Sequence, residues 1–331
     1  MMKKAAAVIA AIMICVPVFG EDSSFLGGAF TGSAQSARIA ALGGAFTAVA
    51  NDANASWWNP AGMALLDKKK SFSFTYAPTV LGLTTGDASD LVAGYSQGDA
   101  EGYGAIGASV SYKSLSMGSD YVGDPEYKWQ EYTALVSYAL VLNRFMGMSN
   151  FKYPKYAAGI NVKYTGVSSD IPSGSSQVSA SGFGADAAFM IAFKDNLNIG
   201  LMARDVFTSV SWQNASTERI PYSLNAGIFY GLTSEVLLTG EVKAYEGQEG
   251  MPVLAEYCAG AEYILLFGKT AQVQSLSIRA GAAIDASEDV YTVSAGLGVN
   301  VDNFLIDYAY QYYINSSLNT QGHRIGGTFF F

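Results

Sequence analysis

The sequence predicts an all-β protein: a 14-stranded antiparallel transmembrane β-barrel over residues 70–331, with an N-terminal plug (hatch) containing short helices over residues 21–69. Three observations predict it. Charged residues make up only 14% of the chain, against ~25% in soluble domains, too few to cover a soluble surface of this size. Beyond residue 20 no apolar run reaches the length of about 18 residues that a helical span needs. From Ser71 to the last residue, apolar and polar side chains alternate with a period of two, as in strands that bury one face. High apolarity without long apolar runs fits a membrane barrel, whose outer face is apolar only at every second position.

Taken in order, residues 1–20 read as a signal peptide, so the chain is exported. Met1-Met2-Lys3-Lys4 is a basic start, Ala5 to Phe19 an apolar run too short to span, and cleavage falls after Gly20, ahead of Glu21-Asp22. Cys15 offers a lipoprotein signal as the alternative, but Ile14 is bulky where a small residue is required. With residues 1–20 removed, only Cys258 is left, so no intrachain disulfide forms. Glu21 to Gln35 is small and polar and takes no defined element, and Ser36 to Ala50, rich in Ala and Gly, fits helix or extended chain alike. Within Leu42 to Leu66 lies a compact aromatic knot, Trp57-Trp58-Asn59-Pro60-Ala61-Gly62. Asn59 is a good helix N-cap and Pro60 suits the first helical position, where its missing N–H is not needed. Pro60 to Leu66 therefore reads as a short helix, and the two tryptophans before it need burial.

The strands follow. Phe72, Phe74 and Tyr76 alternate with Ser71, Ser73 and Thr75; Tyr291, Val293, Ala295 and Leu297 with Thr292, Ser294 and Gly296. Counting such segments gives strands near 70–83, 89–96, 103–113, 127–142, 156–168, 178–194 and 197–209, then 219–232, 235–246, 253–265, 275–287, 290–302, 303–314 and 322–331. That makes fourteen, an even number that returns the barrel to the side where it began. Tight connections at Asp195-Asn196, Thr233-Ser234 and Glu288-Asp289 are expected to alternate with longer ones at 114–126, 169–177, 210–218 and 315–321. Short inner turns and long outer loops would produce that asymmetry.

The rival architecture is a soluble β-sandwich, which also alternates. Yet Lys163, Glu241, Lys243, Glu256, Glu262, Arg279, Asp285 and Asp307 all fall on the face opposite the aromatic residues. In a barrel that face lines the lumen, where a charge avoids the ~2–4 kcal/mol that Arg or Lys costs at mid-bilayer. Fourteen strands would also leave two long edges unless the sheet closed. Tyr76, Tyr138, Tyr164, Tyr257, Tyr263, Tyr308 and Tyr312 are candidates for interface girdles. The net charge of −9 argues against a nucleic-acid partner. With His323 the lone histidine, no catalytic constellation and no metal set is visible, and nothing calls for a cofactor.

With these residues assembled, the chain resembles the FadL-like outer-membrane transporter superfamily, and within it the spirochaetal UPF0164 family and the PorV/PorQ group. The resemblance rests on Ala41-Leu42-Gly43-Gly44-Ala45-Phe46-Thr47-Ala48, Asp52 and Trp58-Asn59-Pro60-Ala61-Gly62. Ile220 to Gly227, Arg279-Ala280-Gly281 and Asp307 to Tyr310 fit less specifically. It implies a cell outer-membrane barrel whose hatch, with Asn59, Pro60, Ala61 and Gly62 at its gate, admits hydrophobic small molecules such as long-chain fatty acids by passive uptake. Phe46, Trp57, Trp58 and Met63 would then either touch that solute or only pack the plug against the wall. The alternative is a PorV-like barrel that binds or scaffolds secreted proteins. The terminal strand, with Gly326, Phe329 and the last residue Phe331, resembles the assembly signal of outer-membrane proteins. Besides outer-membrane lipid, that implies the barrel assembly machinery as a partner.

Overall fold

A computed structural model of the chain describes residues 36–66, 69–79, 86–99, 102–117, 127–148, 150–170, 178–194, 196–213, 217–246, 254–268, 271–286, 289–315 and 319–331. The signal peptide, Cys15, the stretch Glu21 to Gln35 and the expected strand residues 80–83 lie outside them.

Among the described residues the strands are β1 (Lys70–Thr79), β2 (Gly86–Gln97), β3 (Ala105–Met117), β4 (Tyr127–Val141), β5 (Lys155–Ser169), β6 (Val178–Lys194), β7 (Leu197–Arg204) and β8 (Ser209–Trp212). They continue with β9 (Thr217–Arg219), β10 (Ser223–Gly231), β11 (Val236–Tyr245), β12 (Leu254–Leu266), β13 (Ser275–Asp285), β14 (Val290–Val301), β15 (Phe304–Ile314) and β16 (Asn319–Phe330). Neighbours pair antiparallel all the way round, and β16 pairs with both β15 and β1, so the sheet closes on itself. Pairs β8–β9 and β7–β10 are the outer and inner parts of one hairpin, because β8 carries on along β6 where β7 leaves off. The barrel therefore has fourteen staves, as expected.

That hairpin differs from the two continuous strands expected at 197–209 and 219–232. Asp205 has φ 57° and turns out of the ladder: its N–H donates to Asp186 Oδ1 at 2.8 Å and its carboxylate meets Lys163 at 2.6 Å. Opposite it, the Tyr222 N–H donates to Glu246 at 3.3 Å, and the neighbouring Pro221 has no N–H to contribute. The inward ion pair stands where the strand pairing is interrupted. The expected strand 89–96 is longer, Gly86–Gln97.

Lys70 and Phe330 lie at one end of the barrel, the terminal end; the other is the loop end. The expected alternation of tight and long connections is not kept, most plainly at two places. The turn at Asp289 joins β13 to β14 at the loop end, made tight by Asp289 at φ 50°. The connection from 142 to 154, between β4 and β5, lies at the terminal end and is long.

The alternation itself sorts side chains as expected. Along β1, Ser71, Ser73 and Thr75 are buried inside while Phe72, Phe74 and Tyr76 face out. Lys163, Glu241, Lys243, Glu262, Arg279 and Asp307 are all buried on the inner face. Outward rings gather in two bands: Phe72, Tyr138, Tyr263, Phe304 and Phe329 towards the terminal end, and Tyr76, Tyr164, Tyr257 and Tyr291 towards the loop end. Ile, Leu and Val, such as Ile160, Val162, Ile278 and Leu297, lie outward between them. Aromatic bands either side of an aliphatic belt mark the two edges of a bilayer. No helix among the described residues is long and apolar enough to cross a membrane.

Candidate functional site: the plug and its seat

Residues 36–66 fill the middle of the barrel. Helix α1 (Ala37–Ala41) is capped by Ser36, whose hydroxyl accepts from the Ile39 N–H at 3.3 Å. Gly43 and Gly44, both at positive φ, then turn the chain. Helix α2 (Ala55–Trp58) leads into a 3-10 turn, Pro60–Leu65. The short helix expected from Pro60 is thus a 3-10 helix, one residue shorter, in which Gly62 N–H bonds back to Asn59 O at 2.9 Å. Asn59 caps it as expected, accepting from Ala61 N–H at 3.1 Å, and also donates from Nδ2 to Thr47 O at 2.7 Å. One side chain thereby holds both the start of the turn and a strand of plug twelve residues earlier.

The plug is apolar inside. Phe46, Trp57, Trp58 and Met63 are 0–4% exposed and belong to one cluster with Ile39, Leu42 and Val49. Such burial stabilises each ring or chain by about 1.5–3 kcal/mol. Towards the wall, backbone meets backbone. A Cβ on Gly281 would lie 2.2 Å from the Gly43 nitrogen, and one on Gly159 2.5 Å from the Ala61 nitrogen. No other residue type fits there. Wall side chains satisfy the plug's own polar groups, as buried backbone requires. Glu241 accepts from the N–H groups of Phe46 and Thr47 at 2.8 Å each, and Ser294, Ser96 and Ser137 donate to the carbonyls of Ala41, Ala53 and Ser56.

The two faces of the plug carry different chemistry. On the terminal side an alternating ladder runs from plug to wall: Asp52–Arg38 at 2.8 Å, Arg38–Glu262 at 2.8 Å, Glu262–Arg279 at 2.6 Å and Arg279–Asp307 at 2.5 Å. Burial opposes the Arg38 charge, and the carboxylates of Glu262 and Asp52 more than offset it, so its pKa is raised above even the usual arginine value. On the loop side the plug presents Trp58. The Arg204 guanidinium lies 4.9 Å and the Lys243 ammonium 5.5 Å from its ring. Lys243 is paired with Glu256 at 3.1 Å. Arg204 is buried and, among the described residues, has no carboxylate at ion-pair distance; its side chain donates to the Trp58 carbonyl at 3.4 Å.

Sequence reasoning placed Asn59 to Gly62 and the four apolar residues in the plug, and the structure gathers them there. It missed Arg38 and Arg204, and it set Lys243 on the inner face without placing it beside the plug. Arg38 is a lone cation in an Ala-rich stretch whose partner Glu262 is 224 positions away, and no local pattern signals that. Gly326, Phe329 and Phe331 lie on or beside the closing strand. Phe329 and Phe331 face out and stack at 5.5 Å, and a Cβ on Gly326 would sit 2.6 Å from Thr75 Oγ1 of β1. Among the described residues no group of His, Cys, Asp and Glu is placed to hold a metal.

The family model for the type IX secretion system protein PorV matches residues 26–232. No curated protein matches the chain. Among solved structures, the CymD monoaromatic hydrocarbon channel is similar over 93% of this chain and 98% of its own, at 11% identity and a TM-score of 0.58. A deltaS2S3 mutant of the TodX monoaromatic hydrocarbon channel gives 0.59 at 12% identity, over 89% of this chain and 98% of that one. A FadL homologue of Pseudomonas aeruginosa gives 0.54 at 13%, over 94% and 98%. At such identities the likeness is one of fold. A plugged fourteen-stave barrel matched by this family model over most of its length belongs to the PorV family, and its fold is similar to that of the CymD, TodX and FadL-type barrels.

Proposed function

We propose that the protein carries hydrophobic small molecules with an anionic head, long-chain fatty acids foremost, by passive passage through the outer membrane. The observation that carries this reading is the loop-side face of the plug. A buried aromatic ring lies under two cations, and one of them, Arg204, has no carboxylate within ion-pair reach among the described residues. Such a pairing suits an amphiphile: the head takes Arg204 from the Trp58 carbonyl, and the chain lies against the apolar cluster of Phe46, Trp57, Trp58 and Met63. Guanidinium–carboxylate bonds are the stronger kind, and they replace a long, weak one. Asn59, Pro60, Ala61 and Gly62 form the part of the plug that yields. The channels with this fold are named for hydrocarbon passage, which agrees with the reading.

Uptake of labelled oleate by cells with and without the gene tests it. Loss of uptake in the Arg204→Gln strain, with barrel levels unchanged, is the expected outcome; equal uptake in all strains would sink the proposal.

A second reading follows from the family match: a barrel that docks secreted proteins. It draws on the dense bonding that seats the plug and on the ion pairs lining the wall above it, Lys163–Asp186, Lys243–Glu256 and Arg324–Asp90. Co-purification of an exported protein with the barrel, in cells whose oleate uptake does not depend on it, would favour this reading. Under either one, Gly326, Phe329 and Phe331 serve assembly. Deleting Phe331 should lower the folded barrel in outer-membrane fractions while leaving total synthesis unchanged.

A further inference from the structure

The strand between the two cations at Trp58 carries a buried acceptor turned away from its neighbours. In the sheet, β10 lies between β7 and β11. Register sets Asn225 of β10 opposite Lys243 of β11 and diagonally across from Arg204 of β7, whose direct partner is Ser223. All three side chains are buried on the inner face, and Arg204 and Lys243 both rest on the Trp58 ring. Asn225 Nδ2 donates to Glu241 Oε1 at 3.2 Å. That orientation is forced, because a carboxylate only accepts. Glu241 also takes the N–H groups of Phe46 and Thr47 and the Thr47 hydroxyl at 2.8–2.9 Å. The amide oxygen of Asn225 therefore points the other way, and among the described residues it has no hydrogen-bond partner.

A bare buried acceptor is costly, so this oxygen calls for a donor. Neither cation supplies one: Lys243 pairs with Glu256 at 3.1 Å, and Arg204 donates to the Trp58 carbonyl. A plain carboxylate cannot supply it either. Its oxygens only accept, so it would satisfy Arg204 and leave Asn225 as it stands. The chemistry of the pair is matched by a head that accepts at one atom and donates at a neighbouring one. Resting on the anionic-head reading of this same face, we propose that the preferred solute is a hydroxylated fatty acid. Its carboxylate accepts from Arg204, a hydroxyl close to that carboxylate donates to Asn225 Oδ1, and its alkyl chain lies against the plug's apolar cluster. Asn225 is then the residue that sets specificity for the hydroxyl. A donor that ends an orphaned acceptor is worth about tenfold in affinity.

The purified full-length barrel is supplied with palmitate paired, in turn, with equimolar 2-hydroxypalmitate and 3-hydroxypalmitate. It is then repurified, and the bound acids are weighed by mass spectrometry. One hydroxy acid should be retained in about tenfold excess over palmitate. Its methyl ether, which keeps the oxygen and loses the donor, should show no excess. N225A should bring hydroxy acid and palmitate to parity while still retaining palmitate, and R204Q should retain neither. Heat-modifiable migration on gels confirms that each variant is folded, and the ether comparison needs only the wild type. If wild type retains palmitate and both hydroxy acids equally, water serves Asn225 and the hydroxyl preference is overturned, with the anionic-head reading left standing. If it retains none of them, both fall. The preference is equally overturned if N225A keeps it or if the ether competes as well as the alcohol.

Discussion

The two faces of the plug are bound to the same wall by opposite means. On the terminal side the plug supplies its own charges, Arg38 and Asp52, and they interlock with Glu262, Arg279 and Asp307 at 2.5–2.8 Å. On the loop side the wall's charges mostly pair among themselves, and the plug offers only a ring and a carbonyl. A buried charge ladder is costly to break once formed, because each partner removed leaves another uncompensated. A cation resting on an aromatic face is worth about 2 kcal/mol when desolvated and can be exchanged for a better partner. The terminal face is therefore the fixed attachment, and the loop face the one at which something can be traded.

Four substitutions break or sharpen that contrast. The largest effect belongs to Arg279→Met, which strands Glu262 and Asp307 and should cost about 3–5 kcal/mol. It would be read as a lower temperature at which the folded gel band disappears. Gly281→Ala comes next, since its Cβ has no room against Gly43; it should cost about 1–3 kcal/mol, in the same melting measurement. Asn59→Ala removes the cap and the tie to Thr47 and should cost about 0.5–2 kcal/mol. Its sharper sign is raised single-channel conductance, and conductance equal to wild type would remove Asn59 from any gating role. Arg204→Gln should cost at most about 2 kcal/mol while abolishing retention of oleate by the purified barrel. If it instead melted the barrel as Arg279→Met does, both faces would be structural and the contrast would fall.

Much of this was legible in the sequence, and for a physical reason. Period-two alternation is set by the strand itself, so the fourteen staves, the outward rings and the inward charges could be read locally. The short helix in the plug could be read because Asn59-Pro60 is a local capping signal. What resisted was non-local. Asp205 leaves the ladder because Lys163 and Asp186 wait on other strands, and the residues around it look like ordinary strand. Arg38 gains its meaning from Glu262, at the far end of the chain. The long connection at 142–154 contradicts the rule of short inner turns. Its residues announced a loop, and only the order of strands assigns it to the terminal end.

The inward glycines have one more consequence. Where Gly281 and Gly159 admit only backbone, the distance from wall to axis is set by the thickness of the plug's main chain. The plug thus acts as a mandrel: strand number and stagger fix the girth of an ordinary barrel, but here residues 41–63 gauge it as well. A chain beginning at Lys70 would leave Glu262 without Arg38, Glu241 without the Phe46 and Thr47 N–H groups and the inward serines without the plug's carbonyls, and would have to find another bore.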